Sequence, residues 1–123
     1  MRSREELAWA AGLFDGEGWA STARYSGRGG QTSTVTLGIG QKDPEVLRRF
    51  HEAVGLGKIH GPHNGRSTAR WDVRAYGFEK VQAITAMLWP WLGTIKRTQL
   101  RRVLTELLAH PPSRAHLFRT DDL

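Results

Sequence analysis

Two carboxylates set between glycines, in the run Asp15-Gly16-Glu17-Gly18, are the residues of this chain best placed to do chemistry. They follow a small, apolar segment, Ala10-Ala11-Gly12-Leu13-Phe14, which reads as the end of a helix. A helix that runs into Gly-acid-Gly puts an acid where the backbone can turn sharply and its carbonyls lie open. A carboxylate beside free carbonyl oxygens suits a hard divalent cation such as Mg²⁺. The same nine residues also fit an ordinary helix C-terminus stopped by glycine, so the rest of the chain has to decide between the two.

Composition narrows the choice. At 123 residues the chain is expected to hold one domain with a single core, over 1–112, followed by a C-terminal tail, 113–123. Lys and Arg total 18 against 12 Asp and Glu, for a net charge of +6 and a pI near 10.5. Such an excess favours a polyanionic partner, with nucleic acid first. Cysteine is absent, which excludes disulfides, thiolate zinc sites and a cysteine nucleophile. The five histidines lack metal-ligand spacing, and His60 and His63 read as loop or nucleic-acid-facing groups rather than zinc ligands. No apolar run approaches membrane-spanning length, and Met1-Arg2-Ser3-Arg4-Glu5-Glu6 lacks a signal-peptide apolar region. The expectation is a protein of the cell interior, cytoplasmic or organellar, neither secreted nor in a membrane.

The elements that must position the acids follow from periodicity. Ser3 and Glu6 form a capping box that starts a helix running to about Phe14. One of its faces, Leu7, Ala10, Leu13 and Phe14, suits a core. Another, Ala8, Ala11 and Gly12, is small enough for a second helix to approach closely, although alanine's helix propensity accounts for it equally well. A strand is expected from Glu17 to about Tyr25 and a turn at residues 26–30. A second strand, 31–42, carries Val35, Leu37 and Ile39 on one face and Thr32, Thr34, Thr36, Gly38 and Gly40 on the other. Asp43-Pro44-Glu45 opens a helix that Gly55 stops. The pattern then repeats, with strands over 57–63 and 67–76 around Asn64-Gly65, and a helix from about Phe78 to Trp89. Thr94 is placed to cap a last helix carrying Leu100, Val103, Leu104, Leu107 and Leu108.

The order α-β-β-α-β-β-α-α predicts an α+β domain: a four-stranded antiparallel sheet with helices on one face and the polar face open. With these elements in place, Ala10–Gly18 closely resembles the nonapeptide motif of the LAGLIDADG homing endonucleases, departing at Ala10, Phe14, Gly16 and Glu17. The resemblance implies the homing-endonuclease αββαββα fold, and the predicted element order agrees with it over nearly the whole chain.

It also implies an activity: site-specific cleavage of double-stranded DNA, with Mg²⁺ as cofactor and Mn²⁺ as a substitute. Hydrolysing a phosphodiester needs a nucleophilic water and stabilised developing charge, which carboxylate-held Mg²⁺ supplies. By resemblance Glu17 occupies the metal-binding acid position and the Gly16 carbonyl the adjacent ligand position. Asp15 matches the acid that ties paired helix ends together. Gln41 resembles the polar residue that orders active-site water, and Lys96 the basic residue that steadies the phosphate charge; a polar strand end and a solvated helix-start lysine are the plainer readings. Chains with one motif form homodimers in the family, which makes Ala8, Ala11 and Gly12 the expected seam. Mobile introns or inteins are the expected setting.

An open sheet face can lie in the DNA major groove, where every base pair presents its own donor and acceptor pattern. The expected readers are the outward positions Ser21, Ala23 and Tyr25; Thr32, Thr34 and Thr36; Lys58 and His60; Arg70, Asp72 and Arg74, with Arg70 and Arg74 foremost. Arg24 falls on the core side of its strand unless a bulge exchanges it with Tyr25. Arg28, Lys42, Arg66, Arg97 and Arg101 are expected at phosphates. An RNA-splicing maturase with intron RNA as partner, or a non-catalytic DNA-binding protein of the same fold, is the alternative.

Overall fold

The alternation of residues 30–41 survives intact in the fold. In the computed structural model, which describes residues 3–27, 30–64 and 69–109, this segment is the long central strand β2 (Gly30–Gln41). It pairs on one side with β1 (Gly18–Gly27) and on the other with β4 (Ala69–Tyr76). Strand β3 (Lys58–Asn64) closes the far edge, giving the antiparallel order β1-β2-β4-β3. Two hairpins thus meet through their second strands. The β1–β2 register is unbroken from Gly18–Ile39 to Gly27–Gly30, so period two holds along both strands.

Helices α1 (Arg4–Glu17), α2 (Pro44–Val54), α3 (Phe78–Leu88) and α4 (Thr94–Ala109) cover one face. Ala20, Val35, Leu37, Ile39, Val73 and Ala75 of the sheet pack against Leu7, Ala10, Ala11, Phe14, Leu47, Phe50, Val54, Val81, Ile84, Leu88, Leu100, Val103 and Leu107 in one core. Apolar burial on this scale is the main stabilising term, at roughly 25 cal/mol per Å². No helix among the described residues is long and apolar enough to cross a membrane.

The helix ends follow local chemistry. The Ser3 hydroxyl accepts the Glu6 N–H at 3.3 Å, and the Asp43 carboxylate accepts the Glu45 N–H at 2.9 Å ahead of Pro44. Gly55, at φ 71°, ends α2 in the left-handed conformation that glycine adopts without strain. α1 runs three residues beyond the expected Phe14, so the acid-glycine run is the helix's last turn rather than a loop after it. α4 begins at Thr94 itself, with the capping position one residue earlier: the Gly93 carbonyl accepts the Arg97 N–H at 3.0 Å. Arg49 ties α2 to α1 by a bidentate bond to Glu6, at 2.8 and 2.9 Å, with its guanidinium 3.9 Å from the Trp9 ring centroid.

Candidate functional site

The nonapeptide divides into buried and exposed halves. Ala10, Ala11 and Phe14 are fully buried under the sheet, whereas Gly12, Gly16 and Glu17 are exposed. Ala11 therefore leaves the expected seam. At 100° per residue it shares the core stripe with Leu7 and Phe14, while the small residues that stay at the surface are Ala8, Gly12 and Gly16, each four apart. A Cβ added at Gly12 or Gly16 would meet nothing within 4 Å. Gly18 differs. A Cβ there would lie 2.1 Å from Phe14 Cδ2, so the last glycine of the motif exists because the Phe14 ring packs on the backbone where α1 becomes β1.

Glu17 and the Gly16 carbonyl lie at this junction. The Gly18 N–H closes the final helical bond on the Phe14 carbonyl, and the extended chain beyond leaves the last α1 carbonyls, Gly16 among them, with no helical donor. Glu17 extends from the same turn and makes no hydrogen bond or ion pair among the described residues. Both Asp15 carboxylate oxygens accept the Gly93 N–H, each at 3.0 Å, which fixes the start of α4 against the end of α1. The tie made by Asp15 here is thus within one chain. It sets Lys96, on the first turn of α4, with Nζ 5.9 Å from the Phe14 ring centroid. A cation is unfavourable at the N-terminus of its own helix, but the C-terminal dipole of α1 offsets that. Gln41 ends β2 two residues beyond Ile39, the partner of Gly18, on the side where the chain leaves α1.

The open sheet face holds the predicted outward positions in register. Trp19, Gly38, Arg74 and Lys58 form one row across all four strands. Gly40, Asp72 and His60 form the next, and Ser21, Thr36 and Tyr76 another. Thr34 pairs with Ala23, and Thr32 with Tyr25. Sequence reasoning passed over Trp19 and Tyr76, although period two counted back from Ser21 and forward from Arg74 reaches both. Trp19 lies across Gly38, where a Cβ would stand 2.5 Å from its ring.

Several expected nucleic-acid contacts are placed elsewhere. With no bulge in β1, Arg24 lies on the helix side, 3.6 Å from Glu106, which also accepts from Thr22 at 3.2 Å. Arg97 donates to the Trp89 carbonyl at 2.7 and 3.1 Å, so its guanidinium closes the end of α3 and the 3-10 turn Trp89–Trp91. Arg101 lies 5.4 Å from the Trp89 ring centroid. Asp72 is buried and held by His63 and Arg74 rather than open to a base edge. Lys42, Lys58 and Arg70 are exposed, and Arg28 and Arg66 fall outside the described residues, as does the 113–123 tail.

A four-stranded open antiparallel sheet backed on one face by helices is the fold of the LAGLIDADG homing endonucleases. The homing endonuclease I-CvuI, in complex with the I-CreI target in 2 mM Mg with the DNA not cleaved, superposes with a TM-score of 0.68 at 22% identity over 83% of this chain. The archaeal intron-encoded I-Vdi141I complexed with DNA gives 0.69 at 20% identity over 85%, and the group I intron-encoded I-CeuI complexed with DNA 0.70 at 15% over 89%. This chain spans 65%, 70% and 57% of the lengths of those three. No protein-family model and no curated protein matches the sequence, so the likeness rests on three-dimensional structure.

Proposed function

We propose that this chain is a site-specific DNA endonuclease of the mobile-intron or intein type, acting as a homodimer with Mg²⁺. The observation that carries this reading is the exposed Glu17 carboxylate, beside the Gly16 carbonyl, at the edge of an open basic sheet face. No group of three or more His, Cys, Asp or Glu able to hold a metal occurs among the described residues. One carboxylate and one carbonyl fit Mg²⁺, which keeps several waters and takes further oxygens from substrate phosphate. When bound there, Mg²⁺ would supply charge neutralisation and a more acidic water. Glu17 and Gly16 would hold it, Gln41 would orient water, and Lys96 would neutralise charge on the scissile phosphate. Mn²⁺, with a similar preference for oxygen ligands, is the expected substitute.

A single acid per chain supports a dimer, because cutting both strands calls for two such sites. Ala8, Gly12 and Gly16 support it too, as a strip of helix on which a second backbone can approach closely. The Glu17 carboxylates of two copies would then come near the dyad. Tyr25 and Tyr76, 58% and 53% exposed on the open face, favour intron RNA as a second partner, since unpaired bases stack on aromatic rings.

The test is cleavage of a duplex library in Mg²⁺ by wild type and by Glu17→Gln. Retained binding with cutting lost is the expected result; equal cutting removes Glu17 from the mechanism, and binding without cutting by wild type favours the non-catalytic reading.

A further inference from the structure

Among the described residues the open face carries the basic groups Lys58, His60, His63, Arg70 and Arg74, and they are not equivalent. Arg70 and Lys58 are exposed side chains with no fixed partner among the described residues. Arg74 is fixed. Its Nε donates to Asp72 Oδ2, and the other carboxylate oxygen, Oδ1, lies 2.9 Å from His63 Nε2. The Asp72 side chain is only 10% exposed, against 42% for Arg74 and 57% for His63. A buried carboxylate therefore anchors two exposed nitrogen groups from below.

The anchor depends on a break in register. His60 pairs with Asp72, but His63, not Pro62, pairs with Arg70, so β3 gains one residue between them. The extra residue turns His63 onto the open face, as bulges do when they re-aim a side chain. His60 stays opposite Asp72 with its Nε2 buried and unpartnered among the described residues. The Arg74 guanidinium is bounded on its other side by Trp19, 5.6 Å to the ring centroid, over the bare backbone of Gly38.

With Nε engaged, the terminal nitrogens of Arg74 are the part of the fork left to meet a ligand. A guanidinium held this way presents paired N–H groups with little rotamer freedom left to lose, which matches the O6 and N7 acceptors of guanine in the major groove. We propose that Arg74 reads one guanine per protomer, and that Asp72 and His63 are positioning residues for that reading rather than base contacts themselves. Arg70 and Lys58, unanchored, supply charge to the phosphates with weak base preference. This inference rests on the endonuclease reading only in needing duplex DNA in the groove; it does not need cleavage.

Selection from a duplex pool with a randomised centre, in buffer without divalent metal, tests it. Wild type should enrich a guanine at one position, mirrored across the centre in a dimer. Arg74→Ala should abolish that enrichment, a loss of about 5- to 150-fold in discrimination for one bidentate contact worth about 1–3 kcal/mol. Asp72→Asn should weaken the same position alone, leaving salt-dependent binding to unselected duplex unchanged, whereas Arg70→Ala should lower affinity for all sequences. His63→Gln, whose side chain can still donate to Asp72, should keep more of the preference than His63→Ala. If Arg74→Ala retains every positional preference, or Asp72→Asn lowers all positions evenly, the assignment is overturned while the endonuclease reading stands. Wild type that retains no duplex overturns both.

Discussion

Both carboxylate oxygens of Asp15 receive the backbone N–H of Gly93 at 3.0 Å, joining the last turn of the first helix to the start of the last. This clamp connects residues 78 apart in sequence and sets Lys96 beside the turn that carries Glu17. A Cβ at Gly93 would lie 3.4 Å from the same carboxylate, an ordinary contact, so closeness of packing is not what fixes the pair; the charge-assisted bond is.

Asp15→Asn keeps one acceptor oxygen and loses the charge. Asp15→Ala loses the bond entirely and should cost about 1–2 kcal/mol of stability in urea denaturation, the low end for a charge-assisted bond at a partly exposed site. If Lys96 depends on the clamp, any cleavage activity should fall more in Asp15→Ala than this stability loss explains at temperatures where the variant stays folded.

The three glycines of the motif should respond in opposite directions. Gly18→Ala forces a methyl group into the Phe14 ring and should destabilise the chain by about 1–3 kcal/mol, the usual range for overpacking. Gly12→Ala has open space in the chain and should stabilise the isolated protomer by up to about 1 kcal/mol through helix propensity. If α1 pairs with a second copy, the same substitution should weaken self-association in sedimentation equilibrium. A dimer indifferent to Gly12→Ala and Gly16→Ala places the seam elsewhere.

Arg97 and Lys58 should respond differently, because Arg97 is bound to a backbone carbonyl and Lys58 is exposed. Arg97→Ala should cost about 1–2 kcal/mol in stability, because the Trp89 carbonyl loses both guanidinium donors and keeps only the Leu92 N–H, and leave the salt dependence of DNA binding unchanged. Lys58→Ala should leave stability nearly unchanged and reduce the slope of log affinity against log salt by about 1.

Asp72 should shape the acid limb of the stability curve. Burial by itself would raise its pKa, but hydrogen bonds from His63 and Arg74, with their charges, outweigh it and hold the carboxyl below its ordinary 3.8. A folded-state pKa below the unfolded one means that the unfolded chain binds the extra proton, so the stabilisation is present above pH 3.8 and lost as pH falls through the folded value. Asp72→Asn should therefore flatten the stability–pH profile below about pH 4, as followed by tryptophan fluorescence. An unchanged profile would mean that His63 and Arg74 do not hold the carboxylate in solution.

Periodicity, caps and glycine stops sufficed to read most of the architecture from sequence. Val35, Leu37 and Ile39 alternate cleanly because one face of β2 is core and the other open, and Asp43-Pro44 with Gly55 bounds α2 at both ends. The acids of the candidate site stand out in the sequence for the same reason: Gly-acid-Gly at a helix end is a local pattern. What sequence reasoning missed were the consequences of packing between distant elements. Ala11 reads as surface or core with equal ease until the sheet covers it. Arg24 and Arg97 read as free cations until Glu106 and the Trp89 carbonyl, contributed by other elements, meet them.

Sequence by itself determined the element order, the two-sided sheet and the chemistry available at Asp15-Gly16-Glu17, because each depends on neighbours within a few residues. Only the tertiary structure decided which of those groups are already engaged. Asp15 is held by Gly93, Asp72 is held between His63 and Arg74, and one extra residue in β3 selects His63 over Pro62 for the open face. Such choices depend on register and on contacts across long stretches of chain, where a one-residue slip reverses the direction of every side chain.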